Sequence, residues 1–154
     1  MNLRLARPAD IPAIGNLFKA GIEVLSANDY SAEQIIVWTS GYDQAETWQT
    51  RLNNQYFLVA ESDAQTLAGI ASLDATGYLD LLYVHPDFQR QGIATGLVAH
   101  LEQYAFGLGI SVIRTEASLT AKPFFESHGY QVVAPQQKNY QGITFATFAM
   151  QKLL

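Results

Sequence analysis

The chain contains no cysteine. Disulfides, thiolate metal sites and cysteine nucleophiles are therefore excluded. Its three histidines, His85, His100 and His128, do not fall at metal-ligand spacing, so no metal is expected. No apolar run is long enough to span a bilayer, and the N-terminus lacks a basic segment followed by an apolar one. These absences point to a soluble, cytoplasmic protein without a membrane partner. Basic residues are scarce, with 9 Lys and Arg against 14 Asp and Glu and a net charge of −5, which argues against nucleic-acid binding. Linkers, repeats and low-complexity stretches are also missing. A chain of 154 residues that is 49% hydrophobic suits one domain over residues 1–154, with a sizeable core and little disorder.

The scarcity of positive charge is uneven. Residues 20–89 hold ten acidic side chains and a single basic one, Arg51, whereas residues 90–154 hold five basic and three acidic side chains. An anionic cofactor is better received by the second half and a cationic acceptor by the first.

What is present centres on residues 81–96. Leu81-Leu82-Tyr83-Val84 reads as a buried strand, His85-Pro86 as a turn, and Gln89-Arg90-Gln91-Gly92 as a basic loop that opens a helix. A helix N-terminus has amides without intrahelical partners and a positive partial charge, which suits a phosphate or pyrophosphate. Gly92 and Ala94 allow close backbone approach. The loop lacks the Lys-Ser or Lys-Thr pair of a Walker loop, and it lacks the three-glycine spacing of a dinucleotide fingerprint.

Periodicity supplies the remaining elements. A strand is expected over 2–7, and a helix follows with Ile11, Ile14, Leu17, Phe18, Ile22 and Leu25 at helical spacing and Asp10 as cap. Ser31 caps a second short helix carrying Trp38, and Asp43 caps a third carrying Trp48. Strands are expected over 56–61, 66–74 and 78–84, then a helix over 93–106 and a strand over 112–116. Thr120 caps a helix over 121–128, and strands over 130–133 and 143–150 pair around Gln141-Gly142. This order describes a mixed sheet flanked by helices, an α+β arrangement.

The run Gln89-Arg90-Gln91-Gly92-Ile93-Ala94 resembles the Q/R-x-x-G-x-G/A motif of the GNAT superfamily of N-acetyltransferases. Leu82-Tyr83-Val84-His85-Pro86 resembles that family's central strand. A second match is Glu116 to Tyr130, which resembles the family's late strand, helix and Gly-aromatic pair. The element order resembles the GNAT fold over roughly residues 3 to 150, as in a single-domain member of bacterial type. The resemblance implies a mostly antiparallel sheet with a splayed central pair of strands. It also implies acetyl-CoA as co-substrate.

The resemblance further implies that Leu82, Tyr83 and Val84 pair with the pantetheine arm and that the pyrophosphate sits on the amides of Arg90, Gln91, Gly92, Ile93, Ala94 and Thr95. Arg90 adds a charge and Thr95 a hydroxyl. Ser118 stands at an Asn-like position and bonds the arm. Phe125 stands where the family usually has a Tyr that protonates the departing thiolate. Phe has no proton to give, so Ser118, Tyr83, Tyr130 or a water remain as donors. Asp80 is the candidate base. It lies four residues before Val84, so strict alternation puts both on one face, and burial there would raise its pKa toward useful base strength. Glu116 is a second carboxylate. Tyr30, Gln34 and Trp38 follow the first helix and are the candidates for shaping the acceptor pocket.

Two functions remain open on this reading. One is an N-acetyltransferase that moves acetyl to a primary amine by direct attack in a ternary complex, the acceptor being a small polyamine or amino compound, an antibiotic or a protein amine. The other is a non-catalytic acyl-CoA-binding sensor, or an interaction module using an exposed hairpin strand over 143–150, with homodimerisation as a possible property.

Overall fold

The computed structural model describes residues 1–154. Its seven strands are β1 (Asn2–Leu5), β2 (Tyr56–Glu61), β3 (Leu67–Leu73), β4 (Tyr78–Val84), β5 (Val112–Ser118), β6 (Gln131–Tyr140) and β7 (Ile143–Leu153). The helices are α1 (Ile11–Leu25), α2 (Ala32–Thr39), α3 (Ala45–Asn54), α4 (Ile93–Gly107) and α5 (Lys122–Ser127). The strands form one sheet in the order β1-β2-β3-β4-β5-β7-β6. Neighbours are antiparallel except β4 and β5, which are parallel. The α+β, mostly antiparallel arrangement expected from the sequence is the one observed.

That parallel pair is brief. Only Tyr78 with Arg114 and Leu79 with Thr115 are in register. The Thr115 hydroxyl donates to the Leu79 carbonyl at 2.8 Å, and the Arg114 amide donates to the Gly77 carbonyl at 3.0 Å, so the two strands are pinned at their starts. Beyond that point β4 stays with β3 up to Val84 while β5 stays with β7 up to Ser118. Each strand follows its own partner, and a wedge opens toward their C-terminal ends. This is the splay that the resemblance implies.

β4 also carries an irregularity that the sequence reading missed. Ser72 faces Leu81 and Leu73 faces Leu79, which leaves Asp80 as an extra residue. Such a bulge interrupts the two-residue alternation of side chains. Leu79, Leu82 and Val84 accordingly pack with α4, while Leu81 and Tyr83 pack with α1 and α3. Asp80 bonds Arg51 of α3 and Gln55, so it lies on the face opposite Val84. The expectation that Asp80 and Val84 share a face is corrected by this bulge.

The sheet separates two cores. On one face Leu97, Leu101 and Ala105 of α4 meet Leu58, Ala71, Ile113 and Met150, with Phe125 of α5 beside them. On the other, Ile14 and Leu17 of α1 and Trp48 of α3 meet Phe57, Val59 and Ile70. Full burial of each Leu or Ile contributes about 1.5–3 kcal/mol. Gly69 on β3 lets α4 come close to the sheet, since a Cβ there would stand 2.8 Å from Ile93 Cγ2.

Several expected caps differ in detail. Ser31 does cap α2, its hydroxyl taking the Gln34 amide while Gln34 Oε1 takes the Ser31 amide. Asp10 does not cap α1, because its carboxylate takes the Arg7 amide and the Arg4 guanidinium. Gln44 rather than Asp43 precedes α3. Thr120 donates to Asp29 instead of capping α5, and Ser118 Oγ takes the Ala121 amide. β6 runs on through Pro135 to Tyr140, because an edge strand tolerates a missing N–H. β7 lies between β5 and β6 in the sheet, so the proposed exposed hairpin strand over 143–150 is an interior strand.

Arg4 clamps the start of the chain by bonding Asp10 at 2.8 Å and Glu61 at 3.0 Å. Hydrogen bonding from Arg4 holds the Asp10 carboxyl below the usual carboxylate range. A carboxyl with a depressed folded-state pKa contributes stability that is complete above its unfolded pKa of about 3.9 and is lost as pH falls through the folded value. The difference in Tm between wild type and Arg4→Met is therefore expected to narrow when thermal unfolding is followed from about pH 5 down to below about pH 3.

Candidate active site

The site grows out of the C-terminal end of β4. His85 donates its amide to the Ala68 carbonyl of the strand beside it. In an antiparallel pair alternate residues bond the neighbour, so Leu82 and Val84 turn their amide edges away from β3 and into the wedge. The Val84 carbonyl there accepts Gln89 Nε2 at 3.0 Å. This places an extended backbone edge along one wall of the gap.

The chain then turns twice into the left-handed region, at Arg90 (φ 61°) and at Gly92 (φ 78°), before α4 begins at Ile93. The first backward bond of α4 runs from the Gly96 amide to the Gly92 carbonyl. The amides of Ile93, Ala94 and Thr95 precede it and face the loop without intrahelical acceptors. The space that a Gly92 side chain would enter is open, with nothing within 4 Å. Arg90, Gln91 and Thr95 are exposed beside these amides. The helix dipole, the free amides and the arginine together fit a pyrophosphate, and the Leu82–Val84 edge fits an extended amide-bearing arm.

The wedge opens into a cleft of about 560 Å³. Leu82, Val84, Gln89, Ala94 and Ser118 line one part of it, and Tyr30, Trp38, Asp80 and Tyr83 line another. Of the sequence-derived residues, Tyr30, Trp38, Asp80, Leu82, Tyr83, Val84, Ala94 and Ser118 line this cleft, while Arg90, Gln91, Gly92, Ile93 and Thr95 lie on the adjoining loop and the first turn of α4. Gln34 does not line the cleft. Its Oε1 is used in the α2 cap and its Nε2 donates to the Thr144 carbonyl at 2.8 Å, so it ties α2 to β7. This corrects its assignment to the acceptor pocket. Tyr30 lines the cleft with its ring only. Its hydroxyl donates to the Ala146 carbonyl and accepts the Leu119 amide, both at 2.9 Å.

Asp80 is held through one oxygen. Oδ2 accepts Arg51 Nε at 3.1 Å and Gln55 Nε2 at 2.9 Å, while Oδ1 takes no side-chain donor. The side chain keeps 24% exposure, so the full burial assumed from the apolar strand is not reached. Asp80 and Arg51 also border a second, polar groove beside α3.

Tyr83 packs edge-on to Phe18 at 5.0 Å, and burial raises its phenol well above the ordinary tyrosine value. It is therefore a hydrogen-bond donor at neutral pH and a poor source of a proton for a thiolate. Tyr130 is removed from consideration as a donor to the cleft. Its hydroxyl donates to Glu102 at 3.0 Å, inside the core beside α4. Ser118 Oγ accepts the Ala121 amide at 3.1 Å, which leaves its own proton free. Phe125 is buried against Phe124 and Tyr130 and borders the cleft with a bare ring. Lys122 pairs with Glu126 on its own helix at 3.0 Å.

Sequence reasoning missed several lining residues. Arg51 had a readable signal as the lone cation of an acidic half. Lys138, which pairs with Glu116 at 3.0 Å, and Phe145, which packs on Trp38, had none, because β6 and β7 reach the cleft only through the sheet order. His128 Nε2 lies 2.9 Å from Thr95 Oγ1, so the hydroxyl expected to meet a phosphate already has a partner at the end of α5.

A split sheet that meets a helix N-terminus at a left-handed loop makes this an α+β protein whose cleft suits a phosphorylated ligand with an extended arm. The family model described as Acetyltransferase (GNAT) domain matches residues 26–153, and the chain belongs to this family of acetyl-CoA-dependent N-acetyltransferases. It is 30% identical over 150 residues to the uncharacterized N-acetyltransferase YafP of Escherichia coli K12, covering 97% of this chain and 94% of that one. The crystal structure of a GCN5-related N-acetyltransferase of Rhodopseudomonas palustris superposes with a TM-score of 0.94 at 34% identity, covering 99% of this chain and 95% of its own. The PaiA N-acetyltransferase of Thermoplasma acidophilum, solved with coenzyme A, shares the fold at a TM-score of 0.81 and 21% identity over 99% of this chain and 98% of its own.

Proposed function

We propose that residues 1–154 form a single N-acetyltransferase domain that acetylates a primary amine by direct attack in a ternary complex. The observation that carries this reading is the parting of β4 and β5 after two register pairs, with the α4 N-terminus at the same end. The cofactor phosphates rest on the amides of residues 90–95 with the charge of Arg90, and the arm pairs with the Leu82–Val84 edge and Ser118. Bound acetyl-CoA supplies a thioester whose carbon–sulfur bond breaks as the amine nitrogen bonds the acetyl carbon, the sulfur leaving as a thiolate that takes up a proton.

The protein's own groups do the rest. A backbone amide at the end of β4 polarises the acceptor-facing carbonyl oxygen. Asp80 takes the amine proton at Oδ1 while Arg51 and Gln55 hold Oδ2. Ser118 gives a hydrogen bond toward the departing sulfur, the part that Phe125 cannot play. Tyr83 orients the acceptor rather than donating a proton, for the reason given by its burial. A cytoplasmic location is consistent with this chemistry.

The test is stoichiometric thiol release from acetyl-CoA over a panel of primary amines. Amine-dependent release at the rate of product amide formation is expected. Tight acetyl-CoA binding without release for any amine would overturn the catalytic reading in favour of a sensor.

A further inference from the structure

The acceptor side of the cleft is built from aromatic rings. Phe18 stands edge-on to Trp48 at 5.2 Å and to Tyr83 at 5.0 Å. In the same cleft Trp38 meets Tyr30 at 5.2 Å and Phe145 at 6.2 Å. Phe18, Trp38 and Tyr83 are only partly buried, so each still shows ring surface to the cleft they line. Half-covered rings around one cavity offer faces and edges for a flat apolar group.

The charges of the cleft cancel. Its four charged lining residues are Arg51, Asp80, Glu116 and Lys138. Arg51 pairs with Asp80 at 3.1 Å, and Lys138 pairs with Glu116 at 3.0 Å. The acidic surplus of residues 20–89 therefore does not reach the site. A polycation gains no net attraction there. One carboxylate oxygen, Asp80 Oδ1, is left for one amine.

We infer that the acceptor is a primary amine carried on a planar, apolar body, an arylalkylamine, with the ring against the exposed surfaces of Trp38, Phe18 and Tyr83 and the nitrogen at Asp80. This deepens the acetyl-transfer reading above and rests on it. It also narrows the preference for a cationic acceptor that the charge distribution suggests, from a polycation to a single ammonium on an apolar body.

The experiment compares phenylethylamine, spermidine and an alanyl peptide as acceptors, by thiol release from acetyl-CoA. Phenylethylamine is expected to lead in kcat/KM by about tenfold or more, the size of discrimination an apolar pocket supplies. Trp38→Ala is expected to raise the KM for phenylethylamine by about tenfold and to leave that for acetyl-CoA unchanged, with Trp38→Phe recovering most of the loss. Lys138→Glu, at an exposed position, leaves Glu116 without its partner and is expected to improve spermidine relative to phenylethylamine. Release led by spermidine or by the peptide in the wild type overturns this inference alone. A Trp38→Ala effect that falls equally on all three acceptors overturns it as well. No release with any amine overturns this inference together with the reading beneath it.

Discussion

Asp80→Asn is expected to lower kcat by about 10²–10⁴-fold, the usual contribution of a positioned proton acceptor. The geometry makes this substitution informative. Asparagine keeps an oxygen at the position where Arg51 and Gln55 donate, so the anchoring of α3 to the bulge of β4 survives. What is lost is the second oxygen, Oδ1, which no side chain of the protein uses. The proposed acetyl-CoA site, at residues 82–95, does not include Asp80, and its affinity is expected to stay nearly unchanged. A rate equal to the wild type would remove Asp80 from the mechanism. Arg51→Met supplies the control. It perturbs the same carboxylate without removing it, so it is expected to retain much of the rate.

The sequence made the cofactor half of the site legible and left the acceptor half obscure, for a physical reason. Cofactor recognition is local in the chain. Residues 82–95 run from strand edge to helix N-terminus without interruption, and backbone amides form much of the proposed binding surface. The pattern Gln-x-x-Gly-x-Ala therefore states both the turn and the ligand chemistry. The acceptor pocket draws its walls from α1, α2, α3, β4, β6 and β7, whose proximity depends on the sheet order. Phe145 and Lys138 lie on the last hairpin, and nothing in their neighbourhood marks them as cleft residues.

The errors share one origin, which is that strict periodicity cannot express a local exception. A two-residue alternation assigns Asp80 to the Val84 face, and one inserted residue moves it to the other. The bulge thereby puts the candidate base on the face opposite Val84, toward Arg51 of α3. Gln34 follows the first helix as Trp38 does, but its amide is consumed by a cap and by a link to β7. The hydroxyl of Tyr30 is consumed likewise. Residue type predicted what these groups can do, and tertiary contacts decided whether they are free to do it.

Gly92→Val is the second substitution with a large expected effect, and it separates backbone geometry from side-chain clash. Nothing lies within 4 Å of the position a Cβ would take, so a larger side chain meets no obstacle. The difficulty is the φ of 78°, which a β-branched residue adopts at a cost of about 1–3 kcal/mol. That cost must appear in one of two measurements. If the loop keeps its shape, the protein is destabilised by about 1–3 kcal/mol and acetyl-CoA binds normally. If the loop relaxes, stability is spared, but binding must restore the strained turn, and affinity falls by about 5–150-fold. The second outcome is expected, because Gly92 is exposed and its neighbours Arg90 and Gln91 do not hold it by packing. Isothermal titration with acetyl-CoA beside thermal unfolding distinguishes the two. Gly92→Asn completes the argument, since asparagine tolerates the left-handed region. It is expected to retain most of the affinity that Val loses. Equal losses for Asn and Val would show that the open space above Gly92, rather than its dihedral angle, is what the cofactor requires.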